Sequence, residues 1–592
     1  MAKIKLSDYI AKRLKEVYGI NYLFMVSGGG AMHLNNSFGR YMRYICNHHE
    51  QACAFAAEGA ARINQKLSVV SVTTGPGGLN CLNGLFGQWT DSVPVLYISG
   101  QVKYSTTMAS CPQIPLRQLG DQEVDIISIV SPLTKYAKMV TDPIEIKYHL
   151  DRAIYEATSG RKGPVWLDIP INVQSAYIDD ENLKEFEFPK NVVCDLKIDA
   201  VIDKLKAAKR PLIVAGHGIR LAGVQNEFLN FLDSTDIPVV TTFNGVDLLP
   251  TEHKNFCGRI GTVGQRAGNF TLQNADLILF LGTRNNIRQI SYNWENFAKN
   301  AYKIVVDIDQ AELEKPTIVP DLKICADLKY FIPKLIEVFP LMQLKDWLDF
   351  CKNLLKKYSF DNTKEYQSYD ENINVYDFIY KLSQCMMDGD ILITANGSAC
   401  VCSHQVLVIK DKQRVIWNSG DASMGYALPA SIGACCEAPD RNIICLCGDG
   451  SIMMNIQELQ TILYNKFPLK IFVINNSGYS SIRQTQRNFF DGYMTGSGLD
   501  SGVSVPDFCK LAEGFGIKSL KITSSVDMNK KIIDILGLNE PVICEVMVEK
   551  EYAFLPKLSS KILDDKTMVS PSLEDMYPFL TREEFNSNII AE

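Results

Sequence analysis

The chain has 592 residues, of which 46% are hydrophobic and 21% charged, with 39 Gly and 24 Pro. That mixture is globular, excludes a disordered, collagen-like or coiled-coil protein, and at about 150 residues per domain makes three or four domains. The net charge of −7 gives no general pull toward nucleic acid or an anionic membrane surface, so neither is an expected partner.

The opening segment MAKIKLSDYIAKRL reads as the start of an amphipathic helix, not as the apolar core of a secretory signal. Apolar runs at 67–74, 93–100, 211–218, 275–282, 302–309, 442–450 and 469–476 read as doubly buried parallel strands, each bounded by Gly, Pro, Asp or Asn. The amphipathic stretches 51–65 and 454–466 read as crossover helices between them. The pattern predicts an α/β protein with doubly wound parallel sheets, repeated about three times. Two charged, aperiodic stretches, 175–198 and 343–372, are predicted linkers, and 561–592 is a predicted appendage without sheet pattern. No run reaches the roughly 18 apolar residues of a membrane span. The 17 Cys, with no secretory signal, fit a reducing cytoplasmic compartment. The pairs Cys400/Cys402, Cys435/Cys436 and Cys445/Cys447 lack zinc spacing and are predicted to pack as small apolar groups.

The strongest chemical signal is CLCGDGSIMMNIQELQTILYNKFPLKIFVINNSGYSSI. One buried strand ends in Gly448-Asp449-Gly450-Ser451, a helix follows, and a second strand ends in Asn475-Asn476. Ligands of open α/β sheets bind at such strand ends. A carboxylate and an amide carbonyl at two successive strand ends offer hard oxygen donors, suited to Mg²⁺ or Ca²⁺ holding a diphosphate. Gly450 and Ser451 open the intervening helix, whose N–H groups suit anionic oxygens.

GDGS followed at this distance by INN resembles the thiamine-diphosphate fingerprint. From about residue 5 to about 555 the chain resembles the acetolactate-synthase/pyruvate-decarboxylase superfamily. The resemblance implies a pyrimidine-binding domain at 1–180, a central FAD-binding-like domain at 190–345, and a diphosphate- and Mg²⁺-binding domain at 365–560. It makes Asp449, Asn476 and the carbonyl of Gly478 the metal ligands, with Gly448 and Tyr479 beside them. Asn396-Gly397-Ser398 falls where the family also contacts the diphosphate. In SGDASMGYALPASIGA, Met424 matches the wedge under the thiazolium and Ala422 the carbonyl that holds the aminopyrimidine.

ICNHHEQACAFAAEGAAR (45–62) resembles the family segment that carries the catalytic glutamate, here Glu50. Thiamine chemistry needs a carboxyl group at N1′ of the pyrimidine, because that proton promotes the imino tautomer that deprotonates C2. Glu58, on the same helix, is given a structural role, and His49 local hydrogen bonding; adjacent His48 and His49 cannot share one helix face as metal ligands. VTTGPGGLNCLNG (72–84), with Gly75 and Asn80, resembles the turn that lines the pyrimidine edge. QLGDQEVDIISIVSPLTKYA (118–137) resembles a family segment, and the resemblance implies Gln122 near the reacting carbon, although Asp121 stands where the family carries Phe.

The middle region resembles the FAD-binding domain of acetolactate synthases, with Gly216, Gly218, Gly282, Arg284 and Asp307 at its strand ends. Asn285 and Asn286 stand where an acidic pair is usual. Such a flavin would be structural, because decarboxylative ligation has no net redox step. The resemblance implies addition to a 2-oxo acid and loss of CO₂. The acyl unit then passes to a second 2-oxo acid or a keto-sugar nucleotide, or, in the alternative, leaves as an aldehyde by simple decarboxylation. Arg483 and Arg487 are candidate contacts for an acceptor's phosphates. The resemblance also implies a homodimer or homotetramer, with each site shared between two chains.

Overall fold

The computed structural model describes residues 3–189, 194–369, 371–562 and 568–590. It contains three six-stranded sheets, parallel throughout, as the sequence pattern requires. The expected start of the central domain at residue 190 lies outside the described residues, as does part of the tail.

The N-terminal sheet uses β1 (Tyr22–Met25), β2 (Arg43–Cys46), β3 (Ser68–Val72), β4 (Val95–Gln101), β5 (Ala137–Met139) and β6 (Val165–Pro170), in the order β2-β1-β3-β4-β6-β5. The central sheet uses β7 (Pro211–Ala215), β8 (Val239–Thr241), β9 (Phe256–Arg259), β10 (Leu277–Leu281), β11 (Tyr302–Asp307) and β12 (Leu322–Cys325), in the order β9-β8-β7-β10-β11-β12. The C-terminal sheet uses β13 (Ile391–Ile393), β14 (Arg414–Ile416), β15 (Ile443–Gly448), β16 (Lys470–Asn475), β17 (Lys518–Ile522) and β18 (Val542–Met547), in the order β14-β13-β15-β16-β18-β17. The first and third sheets therefore share one strand order. The central sheet has the dinucleotide-fold order, whose direction reverses between β7 and β10.

Strands such as β3, β4 and β16 are buried along their whole length because helices cover both faces, and their near-continuous apolar sequences follow from that. Helix Glu50–Asn64 is buried almost all round, and its run of alanines lets it lie against helix Ala427–Glu437 of the C-terminal domain. Cys435, Cys436, Cys445 and Cys447 are buried in the same core, as their spacing implied.

Three expectations change. The stretch 454–466 is not one helix: Asp449–Ile452 is followed by a break, and Glu458–Asn465 resumes. The break is held by Asn455, whose amide donates to the Gly425 carbonyl and to Gln51 Oε1, both at 3.0 Å. Part of the supposed linker 343–372 is helix Lys345–Lys357, which buries Trp347, Leu348, Cys351 and Leu354 on the central domain. The tail is no loose appendage. Leu573 and Met576 are buried, and the tail lies along helix Arg266–Asn274, where Asn274 exchanges hydrogen bonds with Asn588 and Ile590 at 2.9 and 2.7 Å. Among the described residues no helix is long and apolar enough to cross a membrane.

Candidate active site

Glu50 opens helix Glu50–Asn64, and His49 before it caps the helix by accepting from the Gln51 N–H at 3.1 Å. This is the local hydrogen bonding expected of His49. Asn80 donates to Glu50 Oε2 at 2.9 Å, so one edge of the carboxylate is fixed. The Gly-rich turn brings Gly75 against Gln122: both have φ near +60°, and a side chain on Gly75 would overlap the Gln122 carbonyl oxygen. The Gln122 side chain itself is exposed. Glu58 is fully buried, paired with Arg62 at 2.8 Å, and Arg62 continues to Asp91, also at 2.8 Å. Its role is structural, as expected.

The Met424 loop lies against this edge. Asn83 donates to Ser423 Oγ at 2.8 Å, and Gly425 N–H donates to Ser451 Oγ at 3.0 Å. Ala422 takes a left-handed conformation (φ 57°), and its carbonyl accepts from Asn396 Nδ2 at 3.1 Å. Asn396 and Ala422 are thus neighbours. Ser451 Oγ thereby ties two loops together. Gly450 spends its N–H on the Asp449 carboxylate at 2.7 Å, and its missing side chain makes room for the Tyr479 ring.

Asp449 is nearly fully buried, and its other oxygen accepts from Asn476 N at 3.2 Å and Gly478 N at 2.9 Å. Burial raises its pKa while the three backbone N–H groups oppose that rise. Asn476 is 4% exposed, and its Oδ1 has no partner among the described residues. A buried carbonyl oxygen left unpaired is costly, and beside a carboxylate it is the donor set of a hard cation. Among the described residues nothing beyond the adjoining chain lies within 4 Å of where a side chain of Gly397 or Gly448 would stand, which leaves open space at two strand ends. These residues fit a cation and a diphosphate.

One expectation fails here. Arg483 is buried and donates to the carbonyls of Asn476, Ser497 and Lys550 at 2.8, 3.1 and 3.0 Å. Its guanidinium is not free for an acceptor's phosphates. Arg487 is partly exposed and ion-paired with the exposed Glu551. Sequence reasoning also missed Tyr552, whose hydroxyl touches both Ser398 Oγ and Asn476 Nδ2.

A cleft of 450 Å³ opens where β7 and β10 part, lined by Gly218, Gly282, Arg284 and Asp307 together with Asp91 and Ser419 from the outer domains. Gly216 is not in its lining; a side chain there would overlap the Gly282 carbonyl, so that glycine serves strand-end packing. Burial raises Asp307 to about 6 and depresses His217, whose Nδ1 has no partner among the described residues. Asn286 caps helix Ile287–Ile290 and Asn285 accepts from Gln289 at 2.8 Å, so this pair builds the local turn. The switch-point cleft and the unpaired histidine fit a dinucleotide.

Comparison with known proteins agrees with this arrangement. The thiamine pyrophosphate enzyme N-terminal TPP binding domain matches residues 4–129, the central domain 198–335, and the C-terminal TPP binding domain 395–546. The acetolactate synthase large subunit of Lactococcus lactis subsp. lactis is 31% identical over 96% of this chain and 97% of its own. The probable acetolactate synthase large subunit of Methanocaldococcus jannaschii is 30% identical over 92% of each, and the isozyme 1 large subunit of Escherichia coli 29% over 91% and 93%. The chain belongs to the acetolactate-synthase-like family of thiamine-pyrophosphate-dependent enzymes that form carbon–carbon bonds.

Proposed function

We propose that this enzyme decarboxylates a 2-oxo acid, pyruvate by its resemblance, and transfers the acyl unit to a second carbonyl compound. The observation that carries the reading is the Glu50–Asn80 pair lying beside the Met424 loop through the Asn83–Ser423 bond. When bound, thiamine diphosphate supplies the carbanion chemistry that cleaves the bond to the carboxylate. The chain's residues do the rest. Glu50 holds a proton at the pyrimidine N1′, and Asn80 keeps its carboxylate turned that way. Ala422 and Met424 orient the two rings, and Asp449, Asn476 and the Gly478 carbonyl hold Mg²⁺ against the diphosphate.

The central cleft is read as a site for FAD in a structural role. With Arg483 engaged by backbone carbonyls, a second 2-oxo acid is favoured over a keto-sugar nucleotide as acceptor. Assembly into a homodimer or tetramer belongs to the same reading. Glu50 stays half-exposed in the single chain, and Leu79, Phe86, Trp89, Met453 and Met454, on the elements beside it, are large exposed apolar groups. A second copy over this face would dry the site.

The test is to incubate the pure enzyme with pyruvate, alone and with candidate acceptors, and to identify products by mass. A ligation product with CO₂ supports the reading; acetaldehyde alone makes the enzyme a decarboxylase. The protein should also be yellow and release flavin on denaturation. A colourless protein that takes up no added FAD would leave the cleft without that ligand.

A further inference from the structure

Asn476 presents one amide oxygen and one amide nitrogen, and only the oxygen can ligate a cation. An amide on an unrestrained side chain can turn by half a rotation and offer its N–H₂ instead, which would repel the ion. What holds it is visible around the residue. The backbone carbonyl of Asn476 accepts from Arg483 at 2.8 Å, and its N–H donates to Asp449 at 3.2 Å, so the main chain is pinned on both sides. Among the described residues the side chain has a single protein partner: Nδ2 donates to the Tyr552 hydroxyl at 3.0 Å, while Oδ1 is buried and unpaired.

We propose that Tyr552 is a positioning residue for the cation site: by accepting from Asn476 Nδ2 it aims Asn476 Oδ1 at the metal, and through Ser398 it ties that orientation to the diphosphate loop. The chemistry of a phenol suits the task. Its hydroxyl has one proton to give and lone pairs to accept with, so it can donate to Ser398 while it accepts from Asn476. A phenylalanine would fill the same space and accept nothing. Outer partners that orient a ligand commonly control metal affinity by about 10–100-fold.

The inference rests on the cation reading of Asp449 and Asn476, and the experiment separates the two. Mn²⁺ binding to the protein with thiamine diphosphate is followed by its electron paramagnetic resonance signal, without any turnover. Wild type should bind Mn²⁺, and Tyr552→Phe should bind it about 10–100-fold more weakly. Tyr552→Gln, whose carbonyl can again accept from the amide, should recover most of the affinity. In an Asn476→Asp background the two oxygens are equivalent, so Tyr552→Phe should cost far less than in wild type. An equal loss in both backgrounds, or no loss in either, overturns the role of Tyr552. No Mn²⁺ binding by wild type overturns the cation site itself.

Discussion

A methyl group on Gly59 would overlap the carbonyl oxygen of Ala430, and one on Gly433 would overlap that of Ala56. Helix Glu50–Asn64 of the first domain and helix Ala427–Glu437 of the third therefore cross at backbone contact, with Phe55 edge-on to Tyr426 at 5.3 Å. Gly59→Ala should destabilise the protein by about 1–3 kcal/mol, because the obstructing atoms are main chain and cannot swing away. Urea denaturation measures this. An unchanged midpoint would mean that the helices separate at no cost.

Glu50 and Asn80 should be separable by experiment. Glu50→Gln leaves Asp449 and Asn476 untouched, so thiamine diphosphate should still bind, while exchange of its C2 proton falls by ~10²–10⁴. Asn80→Ala should give a smaller loss, about tenfold, since it frees the carboxylate without removing it. Asp449→Ala should instead abolish cofactor retention. C2 exchange followed by proton NMR distinguishes the three; wild-type exchange in Glu50→Gln would remove Glu50 from its role.

Glu50 and Asn80 were legible through the family segments they resemble, and Asp449 also because it closes a buried strand. What was not legible is what crosses between motifs. Nothing near Tyr552 marks it as a partner of Asn476, 76 positions earlier. Arg483 looked available because its acceptors are main-chain carbonyls, which every residue carries. The buried stripe Trp347, Leu348, Cys351, Leu354 has helical spacing, but the charges around it read as a linker. Periodicity likewise names strands and not their order, so the common order of the outer two sheets emerged only from the fold.

Asp168 gives a pH prediction. It is fully buried on β6, accepts from Ser99 at 2.6 Å and Gln101 at 3.1 Å, and has no salt bridge among the described residues. Burial raises it from 3.8 to about 7. The folded protein thus holds a proton that the unfolded chain has already released, so stability falls as pH rises through this interval. This contribution is complete below about pH 4, the unfolded carboxyl's range, and is lost as pH rises to about 7. Between pH 5 and 8 wild type should lose ~2–3 kcal/mol at this group. Asp168→Asn should show a correspondingly smaller loss in urea melts. An identical pH slope in both proteins would mean that Asp168 is ionised throughout.

The last prediction concerns assembly. Within one chain Gln51 already reaches Asn455 and Asn83 reaches Ser423, so the outer domains adjoin without a second copy. Yet Glu50 is only partly buried and Gln122 is exposed, which is a poor setting for chemistry that water would intercept. A closed pair related by a two-fold axis would cover both sites with one self-complementary interface. Inactive Glu50→Gln and inactive Asp449→Ala, mixed under conditions of subunit exchange, test how the site is divided. If each site takes Glu50 from one chain and Asp449 from the other, a heterodimer holds one site with both residues intact. Activity should then return toward about half of the heterodimer fraction. Proven exchange with no recovery would show that each chain completes its own site, and that a partner contributes only cover.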